Sequence, residues 1–156
     1  NVALADSSHY LDFKYILNSS DAGKKAQSFL KKTLDNGLKN LSQKEKKILD
    51  EEKKIISQKK VISQEEYKKK VSDLRAKVSS LQKDRNALLN TVAKKRAKAK
   101  EVLLKNLNPI VKDYMNEKNI RVVLDKKSIL LADKKLDITK DIMDLLNKKL
   151  NSINLD

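Results

Sequence analysis

Residues 61–92, VISQEEYKKKVSDLRAKVSSLQKDRNALLNTV, decide the fold because they contain both a chain reversal and the start of a long amphipathic helix. Ser63 followed by Glu66 forms the Ser-x-x-Glu capping box that begins many helices. After it, apolar residues recur alternately four and three positions apart, the spacing of a coiled-coil seam. They are Tyr67, Val71, Leu74, Val78, Leu81, Leu88 and Val92. The segment predicts a helix that packs along one face against a partner.

The residues before this reversal predict the partner helix. Between Asp21 and Val61 the chain has no proline, and its apolar residues fall three, four or seven positions apart. They are Leu34, Leu38, Leu41, Ile48, Ile55 and Ile62. Glu45, Glu52 and Lys59 occupy alternate seam positions, so we expect a loose or grooved seam here. Two antiparallel helices of about 40 residues result, each on the order of 60 Å long.

Two residues are predicted to interrupt these helices. Gly37, next to Asn36, costs roughly 1 kcal/mol of helix stability relative to alanine, and we expect a bend there. Pro109 is expected to kink or restart the second helix because proline removes a backbone hydrogen bond.

The two ends of the chain predict a small β-containing part. Residues 9–13, 120–124 and 128–132 have strand-like patterns, and Asp137 is expected to cap a final helix. The fold class is therefore α+β, mostly α, with a small trimerising β body and a long antiparallel coiled-coil hairpin arm. We assign residues 1–20 and 107–156 to the body and residues 21–106 to the arm. So small a body predicts self-association.

The net charge of +15 lies in the middle of the chain. Residues 24–62 carry +7 and residues 63–105 carry +8, which accounts for the whole excess. Such a region is expected to meet an anionic partner, whether nucleic acid, a lipid surface or an acidic polypeptide. The densest basic run is Lys94, Lys95, Arg96, Lys98 and Lys100. Its simplest alternative interpretation is a solvated helix face.

Several function classes have no support in the sequence. There is no cysteine, so disulfides, thiolate metal sites and cysteine nucleophiles are excluded. His9, the single histidine, lies in a predicted strand, and Gly23 and Gly37 are too isolated to form a phosphate-binding loop. No apolar run approaches the roughly 18 residues of a membrane span. We therefore expect neither an enzyme nor a cofactor, metal or ATP requirement.

Ala3-Leu4-Ala5 has the small-x-small pattern of a signal-peptidase site. This pattern favours export, with the secretory signal removed.

Short motifs at the two ends occur in a recognisable order. Residues 10–12 (YLD), 16–17 (IL) and 19–26 (SSDAGKKA) precede the hairpin, and residues 120–126 (IRVVLDK), 129–133 (ILLAD) and 137–139 (DIT) follow it. In this order they resemble the strand, short helix, arm entry, paired strands and final helix start of the Skp/OmpH family of periplasmic chaperones.

The resemblance implies a periplasmic homotrimer that holds unfolded outer-membrane barrel proteins between its arms without ATP. The oligomerisation body would include Tyr10, Leu11, Phe13, Ile120, Val122 and Leu124. The basic run from Lys94 to Lys100 is similar in position to a patch linked to lipopolysaccharide, which makes anionic lipid a further expected partner. Apolar residues off the main stripe of the first arm are the expected client-binding positions, namely Leu49, Ile56 and Val61.

Two alternatives stay open at this point. A basic coiled coil of this charge would also bind nucleic acid nonspecifically, with strong salt dependence. Only four arginines and few aromatic residues are present, so base readout and stacking have little to use. A purely structural spacer is disfavoured by the polar seam.

Overall fold

The computed structural model describes residues 8–156 and is dominated by two long helices. By spatial contacts the chain divides into two compact units. We call residues 30–94 the hairpin unit, and residues 8–29 with 95–156 the terminal unit. The elements in chain order are β1 (His9–Leu11), α1 (Phe13–Ser19), α2 (Asp21–Gln58), α3 (Gln64–Lys118), β2 (Val123–Asp125), the 3-10 turns Lys126–Ser128 and Lys134–Leu136, and α4 (Thr139–Lys149). This mostly helical fold with a small sheet confirms the predicted fold class, whereas trimerisation and the functional domain boundaries stay predictions. The Ala3-Leu4-Ala5 motif lies outside the described residues.

The hairpin unit contains the predicted pair of antiparallel helices. Lys44 Nζ contacts Asp84 Oδ2 at 2.6 Å, and Lys77 Nζ contacts a Glu51 carboxylate oxygen at 2.7 Å. The residue numbers of successive pairs rise on α2 and fall on α3, as they must when two helices run in opposite directions.

A short turn joins the two helices. The Gln58 carbonyl accepts the backbone N–H groups of Val61 and Ile62 at 2.9 and 3.1 Å, which ends α2 before residue 61. At the start of α3 the Ser63 hydroxyl accepts the Glu66 N–H at 3.1 Å. This contact confirms the helix start that the capping box predicts.

The buried part of the seam between α2 and α3 includes fewer apolar residues than the sequence pattern predicts. Leu41, Ile55 and Val92 are buried, but Leu38 and Val78 leave about half of their surface exposed. Each helix has one partner inside this unit, and a single partner covers only the middle of an apolar stripe. Residues at the stripe's edges therefore stay in contact with water.

Gly37 does not interrupt α2, which continues through it from Asp21 to Gln58. A Cβ at this position would lie 2.4 Å from Leu88 Cδ1 on α3. The glycine thus makes room for a leucine of the partner helix, and its predicted role as a bend marker is corrected to one of close approach.

Pro109 does not restart α3, which runs unbroken from Gln64 to Lys118. Its neighbours Leu107 and Ile110 are buried in the core of the terminal unit. Their burial holds the segment helical even though proline removes one backbone hydrogen bond.

The terminal unit has a two-stranded parallel sheet in which His9 pairs with Val123 and Leu11 with Asp125. The predicted strand 9–13 ends at Leu11, because Asp12 caps α1 by accepting the Tyr15 N–H at 2.9 Å. Phe13 consequently lies in a helix. On the other side of β1, the Ile138 N–H donates to the Tyr10 carbonyl at 2.9 Å.

The predicted strand 128–132 is absent. A 3-10 turn occupies Lys126–Ser128, and the residues after it pair with no other strand of the described chain. The predicted strand 120–124 is likewise displaced, since β2 begins at Val123. A strand exists only where a second backbone provides hydrogen-bond partners, and the pattern of residues 128–132 alone does not supply one.

An apolar core closes the terminal unit. The N-cap of α4 is Ile138, which makes no side-chain capping hydrogen bond, so the predicted cap Asp137 lies one residue too early. Its carboxylate nevertheless accepts the Thr139 N–H at 2.9 Å just before the helix. Helix α4 then buries one face against α1 and α3 through the core. The core residues are Leu11, Ile16, Ala22, Leu103, Leu107, Ile110, Ile120, Ile138, Ile142 and Leu146.

Candidate functional site

The hairpin unit exposes large apolar side chains. Leu49, Ile56 and Val61, the predicted client-binding residues, expose 50%, 60% and 83% of their surfaces. Single exposed apolar residues are common on proteins. Here they lie on a two-helix element with little core of its own, so they are accessible to a flexible partner without rearrangement.

The charge around these residues is strongly positive. The hairpin unit, residues 30–94, has eighteen basic and nine acidic residues, a net charge of +9. Some acidic groups are already engaged across the seam, as in the Arg85–Glu45 contact of 4.0 Å. Most lysines are exposed, and their field favours approach of an anionic partner at low salt.

The tip of the hairpin is held by side-chain contacts as well as by its turn. Lys59 Nζ lies 5.6 Å from the centre of the Tyr67 ring, and Lys70 Nζ donates to Gln58 Oε1 at 2.8 Å. These contacts order the helix ends on either side of Val61, whose side chain they leave exposed.

The predicted basic run is not uniform. Lys94, Arg96, Lys98 and Lys100 are each exposed. Lys95 is half-buried: its Nζ lies 5.2 Å from the centre of the Phe29 ring and donates to the Leu155 carbonyl. Lys95 therefore anchors the segment after α4, a role that its sequence neighbourhood does not indicate.

The predicted oligomerisation residues divide into two groups. Tyr10, Leu11 and Ile120 are buried within the terminal unit of a single chain. Val122 and Leu124 expose nearly half of their surfaces, and Phe13 is half-buried. Only the second group has surface to offer to another chain.

These exposed residues line a groove of about 640 Å³ in the terminal unit. Its walls come from β1, the start of α1, the C-terminal part of α3 and residues 121–125, which include β2. They are Leu11, Phe13, Leu107, Asn108, Val111, Lys112, Met115, Arg121, Val122, Val123, Leu124 and Asp125. Among the described residues β2 pairs only with β1, so the second edge of β2 is open.

Two further exposed apolar residues follow β2. Leu130 is fully exposed and Leu131 is 91% exposed, and both lie in the segment predicted to be a strand. Their apolar character was visible in the sequence. Their exposure was not, because an apolar run of this length is typical of a buried strand.

One hydrogen bond between titratable side chains links α3 to α4 in the terminal unit. Tyr114 donates to Asp141 Oδ2 at 2.6 Å, and this hydrogen bond, with burial and the nearby Asp141 and Glu117 charges, raises the pKa of Tyr114 to about 12. Within residues 8–156 there is no cluster of three or more residues suited to hold a metal ion. None of the helices in that range is apolar enough over the necessary length to cross a membrane.

Comparison with known proteins identifies the relatives of this chain. Residues 9–146 match the family model of the outer membrane protein (OmpH-like) family. A crystal structure from Caulobacter crescentus CB15, an OmpH-like protein for which an outer membrane chaperone role has been suggested, superposes with a TM-score of 0.90 at 21% identity. The match covers 96% of this chain and 89% of that one. The curated proteins compared with the chain gave no match.

Proposed function

This chain belongs to the OmpH-like outer membrane protein family, and we propose that it is a periplasmic, ATP-independent holding chaperone for unfolded outer-membrane barrel proteins. The observation that carries the proposal is the combination of exposed apolar residues and a net charge of +9 in the hairpin unit. An unfolded barrel protein exposes apolar segments and, where acidic, is attracted by that charge. The role is one of binding rather than catalysis.

The proposed mechanism uses many weak contacts. Electrostatic attraction brings the client to the hairpin, and Leu49, Ile56 and Val61 then cover part of its apolar surface. Each contact alone is weak and exchangeable, and several tethered hairpins raise one another's effective concentration around the client. Because the chaperone binds the unfolded state, the client stays soluble until a more stable state in the membrane becomes available.

Self-association supplies the several hairpins. We propose a homotrimer assembled through the terminal unit, with Tyr10, Leu11, Phe13, Ile120, Val122 and Leu124 in or directly beneath the contact surface. The open edge of β2, the groove beside it and the exposed Leu130 and Leu131 support this proposal. If the extended segment around Leu130 and Leu131 of one chain paired with the open edge of β2 in another, it would cover both that edge and the two leucines. Analytical ultracentrifugation should give a trimer, and Leu130→Asp with Leu131→Asp should give a monomer.

An anionic lipid or lipopolysaccharide is a further proposed partner of the basic run. Lys94, Arg96, Lys98 and Lys100 are available for such contacts, whereas Lys95 is engaged with Phe29 and Leu155. Binding to vesicles that contain anionic lipid should be measured for Lys98→Gln and, as the matched control, for Lys95→Gln. We expect the larger loss at Lys98.

The central experiment measures aggregation of a urea-unfolded outer-membrane barrel protein after dilution, by light scattering without ATP. Suppression at one client per trimer that weakens with added salt would support the holding function. The triple variant Leu49→Ser, Ile56→Ser, Val61→Ser should lose most of the suppression and keep its helical circular dichroism. Unchanged aggregation with the wild-type protein, together with salt-dependent binding of single-stranded DNA, would instead favour the nucleic-acid alternative.

A further inference from the structure

The seam of the hairpin unit contains a crevice of about 300 Å³ between α2 and α3. It has an apolar floor and a charged rim. The lining residues are Lys44, Lys47, Ile48, Glu51, Lys77, Ser80, Leu81 and Asp84.

The crevice exists because the seam is incompletely filled at one level. Leu41, Ile48 and Ile55 are seven residues apart on α2, but only the first and last are buried, while Ile48 is half-buried. Opposite Ile48, α3 contributes the short side chain of Ser80. The floor is consequently accessible from outside.

Two ion pairs frame the opening. The Lys44–Asp84 contact of 2.6 Å and the Lys77–Glu51 contact of 2.7 Å bridge the helices, one helical turn before and after Ile48. In these pairs the charges of both lysines are matched. Lys47 also lines the crevice, and it forms no salt bridge within residues 8–156, so the rim carries an unmatched positive charge.

We infer that this crevice is a subsite for one aliphatic or aromatic side chain of an unfolded polypeptide, with a neighbouring client carboxylate contacting Lys47. The volume is about twice the ~150 Å³ that accommodates benzene in an engineered protein cavity, which is enough for one large apolar side chain. Ile48 and Leu81 supply the apolar contact, and the framing ion pairs keep the opening in place. The inference rests on the proposed holding function and assigns it a discrete pocket.

Filling the crevice tests the subsite. Ser80→Leu places an apolar side chain where the client residue would lie, and Ser79→Leu adds the same group at an exposed neighbour outside the lining. We expect Ser80→Leu to weaken client binding roughly three- to tenfold without lowering the melting temperature, and Ser79→Leu to leave binding unchanged. Equal client affinity of the two variants and the wild type would overturn the subsite while leaving the holding function intact.

Charge reversal tests the proposed carboxylate contact. Lys47→Glu and Lys46→Glu change the net charge equally, but only Lys47 lines the crevice. Affinity for an acidic client should fall further in Lys47→Glu than in Lys46→Glu. Equal losses would mean that Lys47 attracts the client only through long-range electrostatics and makes no direct contact with a client carboxylate.

A probe without any client separates failure of the subsite from failure of the holding function. The dipeptide N-acetyl-Asp-Phe-amide, added to protein with labelled methyl groups, should shift the NMR signals of Ile48 and Leu81 and leave those of Leu89, an exposed leucine outside the lining, unmoved. The shifts should disappear in Ser80→Leu. If the wild-type signals do not move, the crevice is not a binding site, whatever the aggregation assay shows.

Discussion

The terminal unit and the hairpin unit solve the problem of burying apolar surface in different ways. In the terminal unit Ile16 of α1 and Ile142 and Leu146 of α4 are completely buried together. In the hairpin unit each helix has one partner helix, Ile48 and Leu81 stay half-buried, and ion pairs cross the seam. Several elements around one core exclude water on every side, whereas two helices cannot.

Stability and accessibility therefore reside in different units of the molecule. Apolar burial is the main source of folding free energy, so the terminal unit should resist local opening more strongly. Exposed ion pairs contribute little, typically below about 1 kcal/mol. The hairpin unit keeps an adaptable apolar and basic surface at the expense of local stability, which suits the proposed binding of varied clients.

The largest expected effect comes from truncating matched isoleucines in the two units. Ile142→Ala should lower the free energy of unfolding by about 3 to 4 kcal/mol, because its side chain is fully buried. Ile48→Ala should cost about 1 kcal/mol, since much of that side chain already contacts water. Urea unfolding followed by circular dichroism measures both, and equal losses would break the contrast between the units.

A double-mutant cycle at Gly37 and Leu88 sharpens the account of the hairpin seam. Gly37→Ala should destabilise the protein by about 1 kcal/mol, because displacement of Leu88 outweighs the gain in helix propensity. In a Leu88→Ala background, where the obstructing atoms are absent, the same change should stabilise by about 1 kcal/mol. Stabilisation by Gly37→Ala in both backgrounds would show that close approach does not explain this glycine.

The Tyr114–Asp141 contact gives the terminal unit an alkaline signature. The pKa of Tyr114 in the folded protein is about 12, above the value of about 10 expected in the unfolded chain. The stability that protonated Tyr114 contributes to the folded state is thus fully present below about pH 10 and is lost as the pH rises towards 12. Absorbance titration should show a late tyrosinate transition that Tyr114→Phe abolishes and Asp141→Asn moves to lower pH. A titration curve with no late transition would contradict the contact.

The smallest effect is expected for a seam ion pair. Lys44→Gln should lower the free energy of unfolding by about 0.5 kcal/mol or less at low salt and by almost nothing at 1 M salt, because both partners are partly exposed. Lys46→Gln, whose side chain is exposed and lies outside the seam contacts, is the control. A large, salt-insensitive loss would contradict the weak, solvent-screened contact that the exposure of both side chains predicts.

The order and type of the main elements followed from the sequence. The Ser63 capping box and the spacing of apolar residues on both sides of it predicted two antiparallel helices, because a helical stripe and a reversal are local properties of the chain. The family was also recognisable from short motifs at both ends, and the family match over residues 9–146 confirms it. The positive charge of the hairpin unit could be predicted as well, because it depends only on which residues are present.

Tertiary structure decided the features that depend on a neighbour in space. Residues 128–132 have a strand pattern but no backbone strand partner within residues 8–156, Lys95 contacts Phe29 and Leu155, and Gly37 faces Leu88. The crevice likewise arises because Ser80 of α3 and Ile48 of α2 lie at the same level of the seam. Propensity and periodicity are set by adjacent residues, whereas these contacts join residues far apart in the chain, so only the folded structure reveals them.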